Sequence, residues 1–593
     1  MYVCALRPRR ESLSKADVFG YITRLKRDDG ASLHSIVEGP FAAVAVDRPG
    51  QHRSHLARFG DLIGAGDVRL DNRAEIAGLS GLSADVNTDL TLVLAALDRR
   101  GEGCIRQLLG DFAFVCWDAR AQKLLAIRDA FGVKPLFRRA VPGLQLFSSH
   151  IEPLRTDETY DFEYIAEYLT GQHTAVDATI WRGITPVGAG SLVRQRGTVQ
   201  YSERYWSTEE FVPANEGDEA ENCLRFRALL EEAVRSRVDD AGHTWAHLSG
   251  GLDSSSLVAL SNVLDGSHVA NTITIVDSLG DGDERAYSDA VVQKYQLRNE
   301  QVRDYWAWQD DGEAAPVTDQ PSPLYPFYAR DRRTWSIVRN AGGRVLLSGF
   351  GADHYLSGSL DYITDLAASG RIRDALGEVT TWSVATRQSF WTMGRRYLLD
   401  PFLSQSRPAQ PPPWLTSSLH RADAVADRRH GACRFARTIT NRMNSLPAWI
   451  ERWPNGADIE MRYPFLYRPL VEASLRLPAR QRVRPNASKW ILREAARDVL
   501  PEQVRTRSTK GGIDARILWS LHREKPRLDA LLRNPILAQL GCIDPVALRR
   551  AVDDARRGIA GNNVHLFSAL SLETWLSVRS GAWTTAQDMT HAA

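Results

Sequence analysis

Near the middle of the chain an apolar run, His243–Leu248, leads into Ser249-Gly250-Gly251-Leu252-Asp253-Ser254-Ser255, and a second apolar run, Ser255–Leu264, leads out. A strand, a double-glycine turn and a helix in that order allow few backbone paths. Adjacent glycines let several N–H groups converge on an anion without a Cβ in the way. The helix start adds its positive dipole end and its unpaired donors, and hydroxyls at 249, 254 and 255 supply more. An aspartate beside a phosphate needs a divalent cation between them, so Asp253 reads as a magnesium ligand. No Gly-Lys-Ser/Thr follows the glycines, which excludes a Walker loop. The loop suits the β- and γ-phosphates gripped as one leaving group, with attack at the α-phosphate. The plainer alternative is a Gly-Gly turn whose serines cap a helix.

The flanks repeat this grammar. Cys223–Val238 reads as a helix, Val269–Val276 and Arg344–Leu347 as strands, and the alternation predicts parallel βαβ units in a doubly wound sheet. A second glycine turn, Leu347-Ser348-Gly349-Phe350-Gly351-Ala352-Asp353, ends an apolar strand. Ligands of open parallel sheets bind beyond the carboxyl ends of the strands, so Asp253 and Asp353 are expected on one rim, sharing magnesium. A helix N-cap is the alternative for Asp353. From about Leu360 the pattern is mainly helical, broken by a loop or lid at Pro401–Pro413. The first 200 residues differ. Strand-like runs at Phe41–Asp47, Ala113–Trp117, Lys123–Arg128 and Gly143–Ser148 surround helical patterns at Thr88–Asp98 and Phe162–Leu169, which predicts a layered domain. Thr208–Glu219 is polar and reads as a linker. A chain of 593 residues needs more than one core. The boundaries read as 1–205, a linker 206–222, and 223–593.

Basic and acidic side chains number 74 and 72, a formal charge of +2, which argues against a nucleic-acid or lipid coat protein. No segment approaches a membrane span and no signal peptide precedes the first domain. Six scattered cysteines make neither a zinc site nor a disulfide framework. A cytoplasmic location with reduced thiols is the expectation.

Several runs of residues in both parts carry a resemblance to the asparagine synthetase family. In the first part they are Gly66-Asp67-Val68-Arg69-Leu70-Asp71-Asn72, Gly110–Phe114 and Arg128-Asp129-Ala130-Phe131-Gly132-Val133-Lys134-Pro135-Leu136. In the second they are the two glycine turns, Asp283-Glu284, Glu460-Met461-Arg462-Tyr463-Pro464-Phe465-Leu466, Lys489–Arg493 and Arg507–Gly512. The resemblance implies an N-terminal Ntn-hydrolase-like αββα domain of the glutaminase type. It also implies a C-terminal adenine-nucleotide α-hydrolase-like parallel sheet that uses ATP and Mg2+. Two departures stand out. Glutamine-using members carry a cysteine at residue 2 whose thiol attacks glutamine, and here residue 2 is Tyr2; Cys4 would need three residues removed to become terminal. Phe350 takes the place of an acidic residue in asparagine synthetases and of a tyrosine in β-lactam synthetases. A peptide α-amine is already partly neutral near pH 7.5 and gains mostly from proximity to an activated acyl group. The combination is similar to the lasso-peptide macrolactam synthetases, which adenylate an Asp or Glu side chain of a precursor peptide and close it onto the peptide's N-terminal amine.

What this implies for residues follows the motifs. Ser249, Gly250, Gly251, Asp253, Ser254 and Ser255 hold pyrophosphate; Leu248, Ile275, Ser348 and Gly349 frame the nucleotide. Asp253 and Asp353 hold magnesium. Lys510 steadies charge at the α-phosphate, with a solvated lysine as alternative. Glu460 orients or deprotonates the amine, with a salt bridge to Arg462 as alternative. Lys489 is a phosphate contact. Tryptophans 245, 306, 308, 335, 382 and 391 either form core or hold the peptide. The implied partners are a precursor peptide, a leader peptidase and a leader-binding protein. Three other functions remain open: a β-lactam synthetase-like enzyme, an ammonia-dependent asparagine synthetase, and a scaffold without catalysis.

Overall fold

The computed structural model describes residues 1–8, 11–14, 20–21, 32–47, 54–171, 177–211, 213–214, 217–238, 242–264, 268–279, 283–403, 411–419, 433–450, 459–509, 511–559 and 563–583. Within the first part, β-rich segments, most of them buried at successive residues, pair into two antiparallel sheets. One contains β1 (Tyr2–Leu6), β2 (Ser32–Glu38), β3 (Phe41–Asp47), β8 (Phe137–Val141), β9 (Leu144–Ser148) and β10 (Ile184–Pro186), in the order β10-β8-β9-β1-β3-β2. The other contains β4 (Leu56–Phe59), β5 (Leu62–Leu70), β6 (Gly110–Asp118), β7 (Lys123–Arg128), β11 (Ser191–Arg196) and β12 (Val199–Arg204), in the order β12-β11-β7-β6-β5-β4.

Tyr2, Cys4, Phe41, Ala43, Ala113, Val115 and Trp117 fill the space between the sheets. Helices Arg73–Ser80 and Asp89–Arg100 cover the outer face of the second sheet, through Ile76, Leu90 and Leu94 against Phe112, Phe114 and Cys116. On the outer face of the first sheet, Val3, Ala5 and Val44 pack with helix Phe162–Leu169. This is the expected αββα stack. The same face also takes Leu566, Phe567 and Trp575 of helix Asn563–Arg579, which belongs to the far end of the chain.

The second part holds a parallel sheet of β13 (Thr244–His247), β14 (Asn271–Ile275), β15 (Arg298–Val302), β16 (Val345–Leu347) and β17 (Glu460–Arg462). Its order, β15-β14-β13-β16-β17, reverses direction of winding between β13 and β16. That is the topological switch point of a doubly wound sheet, where the strand-end loops splay apart and leave a ligand crevice. Both glycine turns leave from these two strands. Beyond Leu360 the chain is largely helical as expected, although Asp400–Leu403 inside the expected lid is a short helix and residues 404–410 lie outside the described set.

The expected linker is partly ordered. Ser207 caps a short turn at Thr208–Glu210, Trp206 and Phe211 are buried, and the Trp206 indole donates to Glu472 at 2.9 Å. Asp218 caps helix Glu219–Arg235, which starts four residues before the expected Cys223. Polarity in this stretch marks a capping sequence as much as a tether. No helix is long and apolar enough to cross a membrane among the described residues. All six cysteines are free thiols.

Candidate active site

At the end of β13 the chain turns through Gly250, whose φ of +81° no L side chain adopts without strain. A Cβ there would lie 2.7 Å from the Glu284 carbonyl and 2.8 Å from the Ser288 N–H, so the loop rests directly on the start of helix Arg285–Tyr295. Gly349 serves the neighbouring turn in the same way: a Cβ would sit 2.8 Å from the Ser254 nitrogen. The two strand-end loops therefore touch backbone to backbone. Inside the first loop the Ser249 and Ser254 hydroxyls share a hydrogen bond of 3.0 Å, and the Gly251 N–H donates to Ser249 Oγ at 3.2 Å. Helix Leu252–Ser261 begins at Gly251 with no side-chain cap, which leaves first-turn N–H groups facing the crevice. Ser255 Oγ is buried and accepts or donates no hydrogen bond among the described residues. An uncapped helix start behind a glycine turn fits a polyphosphate.

Of the framing residues, Leu248 is fully buried, and its carbonyl accepts from the Thr274 hydroxyl at 2.7 Å. Ile275 ends β14 on the same rim. The Ser348 hydroxyl accepts from the Phe350 N–H at 3.2 Å, closing the second turn. His247, next to the loop, is held neutral because burial drives its pKa down to about 4, with Arg330 adding to the effect.

Asp253 and Asp353 do meet on one rim. The charge that joins them is the Lys489 ammonium, which is hydrogen-bonded to Asp253 and lies 2.6 Å from Asp353. Lys489 is 6% exposed and sits in the left-handed region at φ +54°, at the entry to helix Trp490–Ala495. A buried lysine on strained backbone, aimed at two carboxylates, is placed with purpose. The sequence reading expected a phosphate contact and did not foresee this bridge; the motif shows that a lysine is present but not the 236-residue closure to Asp253. Two carboxylates converging on one positive charge suit a hard divalent cation. Among the described residues no group of three or more His, Cys, Asp or Glu side chains gathers, so phosphate oxygens would have to complete its shell.

Lys510 lies outside the described residues. Its loop is tethered on both sides by Glu284, whose carboxylate accepts from Arg507 at 2.6 Å and from the Gly511 N–H at 3.0 Å. The Arg507 guanidinium also stacks on Tyr287, 4.2 Å from the ring centre. Glu284 thus links the C-terminal loop to the backbone on which Gly250 rests.

Phe350 packs edge-on against His354 at 5.0 Å and Tyr463 at 5.6 Å. Burial pushes the His354 pKa down to about 4, so this imidazole is a weak base. Glu460, at the start of β17, is half-buried between Arg462, whose Nη2 lies 2.9 Å away, and Lys134 of the N-terminal domain at 3.3 Å. Both expected alternatives for Glu460, salt bridge and site residue, are compatible with this geometry. Glu460 and Tyr463 line a cavity of about 1100 Å³ between the domains, together with Met1, Asp67, Lys134 and Ser149.

In the core between the two sheets, Tyr2 is 1% exposed. Its hydroxyl donates to the Ala113 carbonyl at 2.9 Å, and its N–H donates to Ser149 Oγ at 3.1 Å. The Met1 ammonium donates to the Val46 carbonyl at 3.0 Å. Cys4 is buried between the sheets, and burial pushes its thiol far above the ordinary range, so no thiolate is available there. Of the tryptophans, 245, 308 and 382 are core, whereas Trp391 is 81% exposed.

The asparagine synthase family model matches residues 225–577, and a glutamine amidotransferase domain model matches residues 72–206. A Mycobacterium tuberculosis protein, provisionally named a glutamine-hydrolysing asparagine synthetase, is 24% identical over 570 residues, covering 86% of this chain and 82% of that one. The amidase chyE of Penicillium rubens is 25% identical over 541 residues, 79% of each chain. Asparagine synthetase 1 of Bacillus subtilis, named as glutamine-hydrolysing, is 22% identical over 508 residues, 79% of this chain and 78% of that one.

Proposed function

Because the chain belongs to the asparagine synthase family, we propose that it joins a side-chain carboxylate of a precursor peptide to that peptide's own N-terminal amine, in the manner of the lasso-peptide macrolactam synthetases. It is an ATP-dependent amide ligase of that family, and the family uses ATP with Mg2+. In the proposed reaction the carboxylate attacks the α-phosphorus and pyrophosphate leaves into the Ser249–Ser255 cradle. The amine then attacks the acyl carbon and AMP leaves, the amine's proton passing toward Glu460 or water. Magnesium, held through Asp253 and Asp353, would neutralise charge on the departing phosphates.

The observation that carries the reading is Tyr2. Its buried phenol, hydrogen-bonded to the Ala113 carbonyl, stands at the residue where the resemblance expects the cysteine of glutamine-using members. The amine must therefore arrive from elsewhere, and the interdomain cavity offers room for a peptide end beside Glu460. Phe350 supports the same reading, since its ring provides neither a base nor a charge for ammonium.

The test is mass spectrometry of the enzyme with ATP, Mg2+ and synthetic core peptides carrying Asp or Glu within the first ten or so positions. Loss of one water from the peptide, matched by AMP and pyrophosphate, is the expected result. Asparagine made from aspartate and ammonium, with no peptide dehydrated, would overturn it.

A further inference from the structure

The run Arg128–Leu136 has no part in the chemistry above, yet its backbone is braced at nearly every residue. Asp129 is fully buried, and its carboxylate accepts from the N–H groups of Phe131 at 3.1 Å, Val133 at 2.9 Å and Lys134 at 2.9 Å. Arg128 donates to the carbonyls of Gly132 at 2.7 Å, Lys134 at 2.8 Å and Val187 at 2.8 Å. The Tyr205 hydroxyl, buried as well, donates to the Arg128 carbonyl at 2.8 Å. Gly132 takes the left-handed turn, at φ +64°.

The side chain this frame delivers is Lys134. Its Nζ lies 2.8 Å from Asp67 and 3.3 Å from Glu460, and it is only 14% exposed. Asp67 belongs to the same domain and fixes the ammonium; Glu460 belongs to the other. Opposite Lys134, Arg462 grips the second Glu460 oxygen at 2.9 and 3.1 Å and donates to the Arg237 carbonyl at 2.9 Å. Glu460 is thereby held between one cation from each domain. A carboxylate that aligns an incoming amine must keep one rotamer, and two fixed cations hold it there.

Resting on the reading of Glu460 as the amine-aligning group, we propose that Lys134 is a positioning residue for amide formation, so that the N-terminal domain completes the synthetase site. A domain with no thiol nucleophile would then be retained for the geometry of one loop.

The experiment compares Lys134→Gln, Lys134→Arg and the parent, using whichever amine the parent accepts. Lys134→Gln should lower kcat for amide formation about tenfold or more while the KM for ATP stays within about twofold, since ATP binds on the far loop. Losing one neighbouring cation should move the acidic limb of kcat, read with the amine saturating, upward. Lys134→Arg should return the limb toward the parent's position. The proposal falls if the limb of Lys134→Gln stays in place, or if its ATP KM and melting temperature deteriorate in step with kcat, as a purely structural interdomain pair would require. If the parent turns out to use ammonium, the peptide reading fails by itself, and the limb measured with ammonium still decides the role of Lys134.

Discussion

Replacing Gly250 by alanine puts the phosphate cradle to a quantitative test. At φ +81° an alanine costs about 1–2 kcal/mol in backbone strain alone. The new methyl would lie 2.7 Å from the Glu284 carbonyl, where ordinary contact begins at 3.4 Å, so something must retreat by 3.4 − 2.7 = 0.7 Å. Glu284 and Ser288 are tied together in the first turn of their helix by a 3.2 Å hydrogen bond, so the loop yields and the helix does not. A 0.7 Å displacement stretches an ordinary hydrogen bond of about 2.9 Å beyond useful range. Losing one or two charge-assisted bonds to phosphate, at about 1.5–3 kcal/mol each, predicts a fall of about one to four orders of magnitude in ATP–pyrophosphate exchange. Melting temperature is read alongside, because strain should register there too. Gly251→Ala is the companion variant: its φ is −73° and only Ser249 Oγ, at 3.2 Å, is near, so its stability should match the parent's. A folded Gly250→Ala enzyme exchanging within threefold of the parent would refute the cradle.

Glu284→Ala should free the loop that carries Lys510. It strands the Arg507 guanidinium, which is 7% exposed at the side chain, at a cost of about 2–4 kcal/mol; faster proteolysis within 507–511 and at least a tenfold loss of turnover are expected, and unchanged cleavage would count against the tether. Burial raises Glu573 to about 7, while its carboxylate accepts the N–H groups of Ile536 and Leu537. A raised folded-state value means stability present below the ordinary value near 4.5 and lost as pH climbs through about 7, at most about 3 kcal/mol. Glu573→Gln keeps an acceptor without that charge, so thermal melts from pH 5 to 8 should show the variant gaining steadily on the parent; parallel curves would reject the assignment.

The glycine turns, the four apolar strands named in the first domain and the βαβ alternation were legible because each is a local pattern. β15 was not: Arg-Asn-Glu-Gln-Val is polar at a sheet edge and lacks the apolar run that marks β13 and β14. β17 is three residues long, too short for any period to show, and it becomes a strand only by pairing with β16. β1 was legible but unassigned: Tyr-Val-Cys-Ala-Leu is a short apolar run, weighed only against a signal peptide, and it sits inside its sheet with all five residues buried. The site was legible as residue types and not as partnerships. Lys489 was visible, its grip on two aspartates was not; Glu460 was singled out and Lys134 stood unremarked inside a quoted run, but an ion pair spanning 326 residues leaves no trace in spacing.

The helix Asn563–Arg579 has a consequence for biosynthesis. It supplies Leu566, Phe567 and Trp575 to the apolar cluster on the outer face of a sheet whose central strand, β1, lies far earlier in the sequence. During synthesis the sheet emerges from the ribosome before the helix does, so part of its greasy face stays bare in the interval. Folding is thus sealed late and from the tail, and a premature stop before this helix would yield a sticky fragment, a ready client for chaperones, rather than a spare N-terminal module.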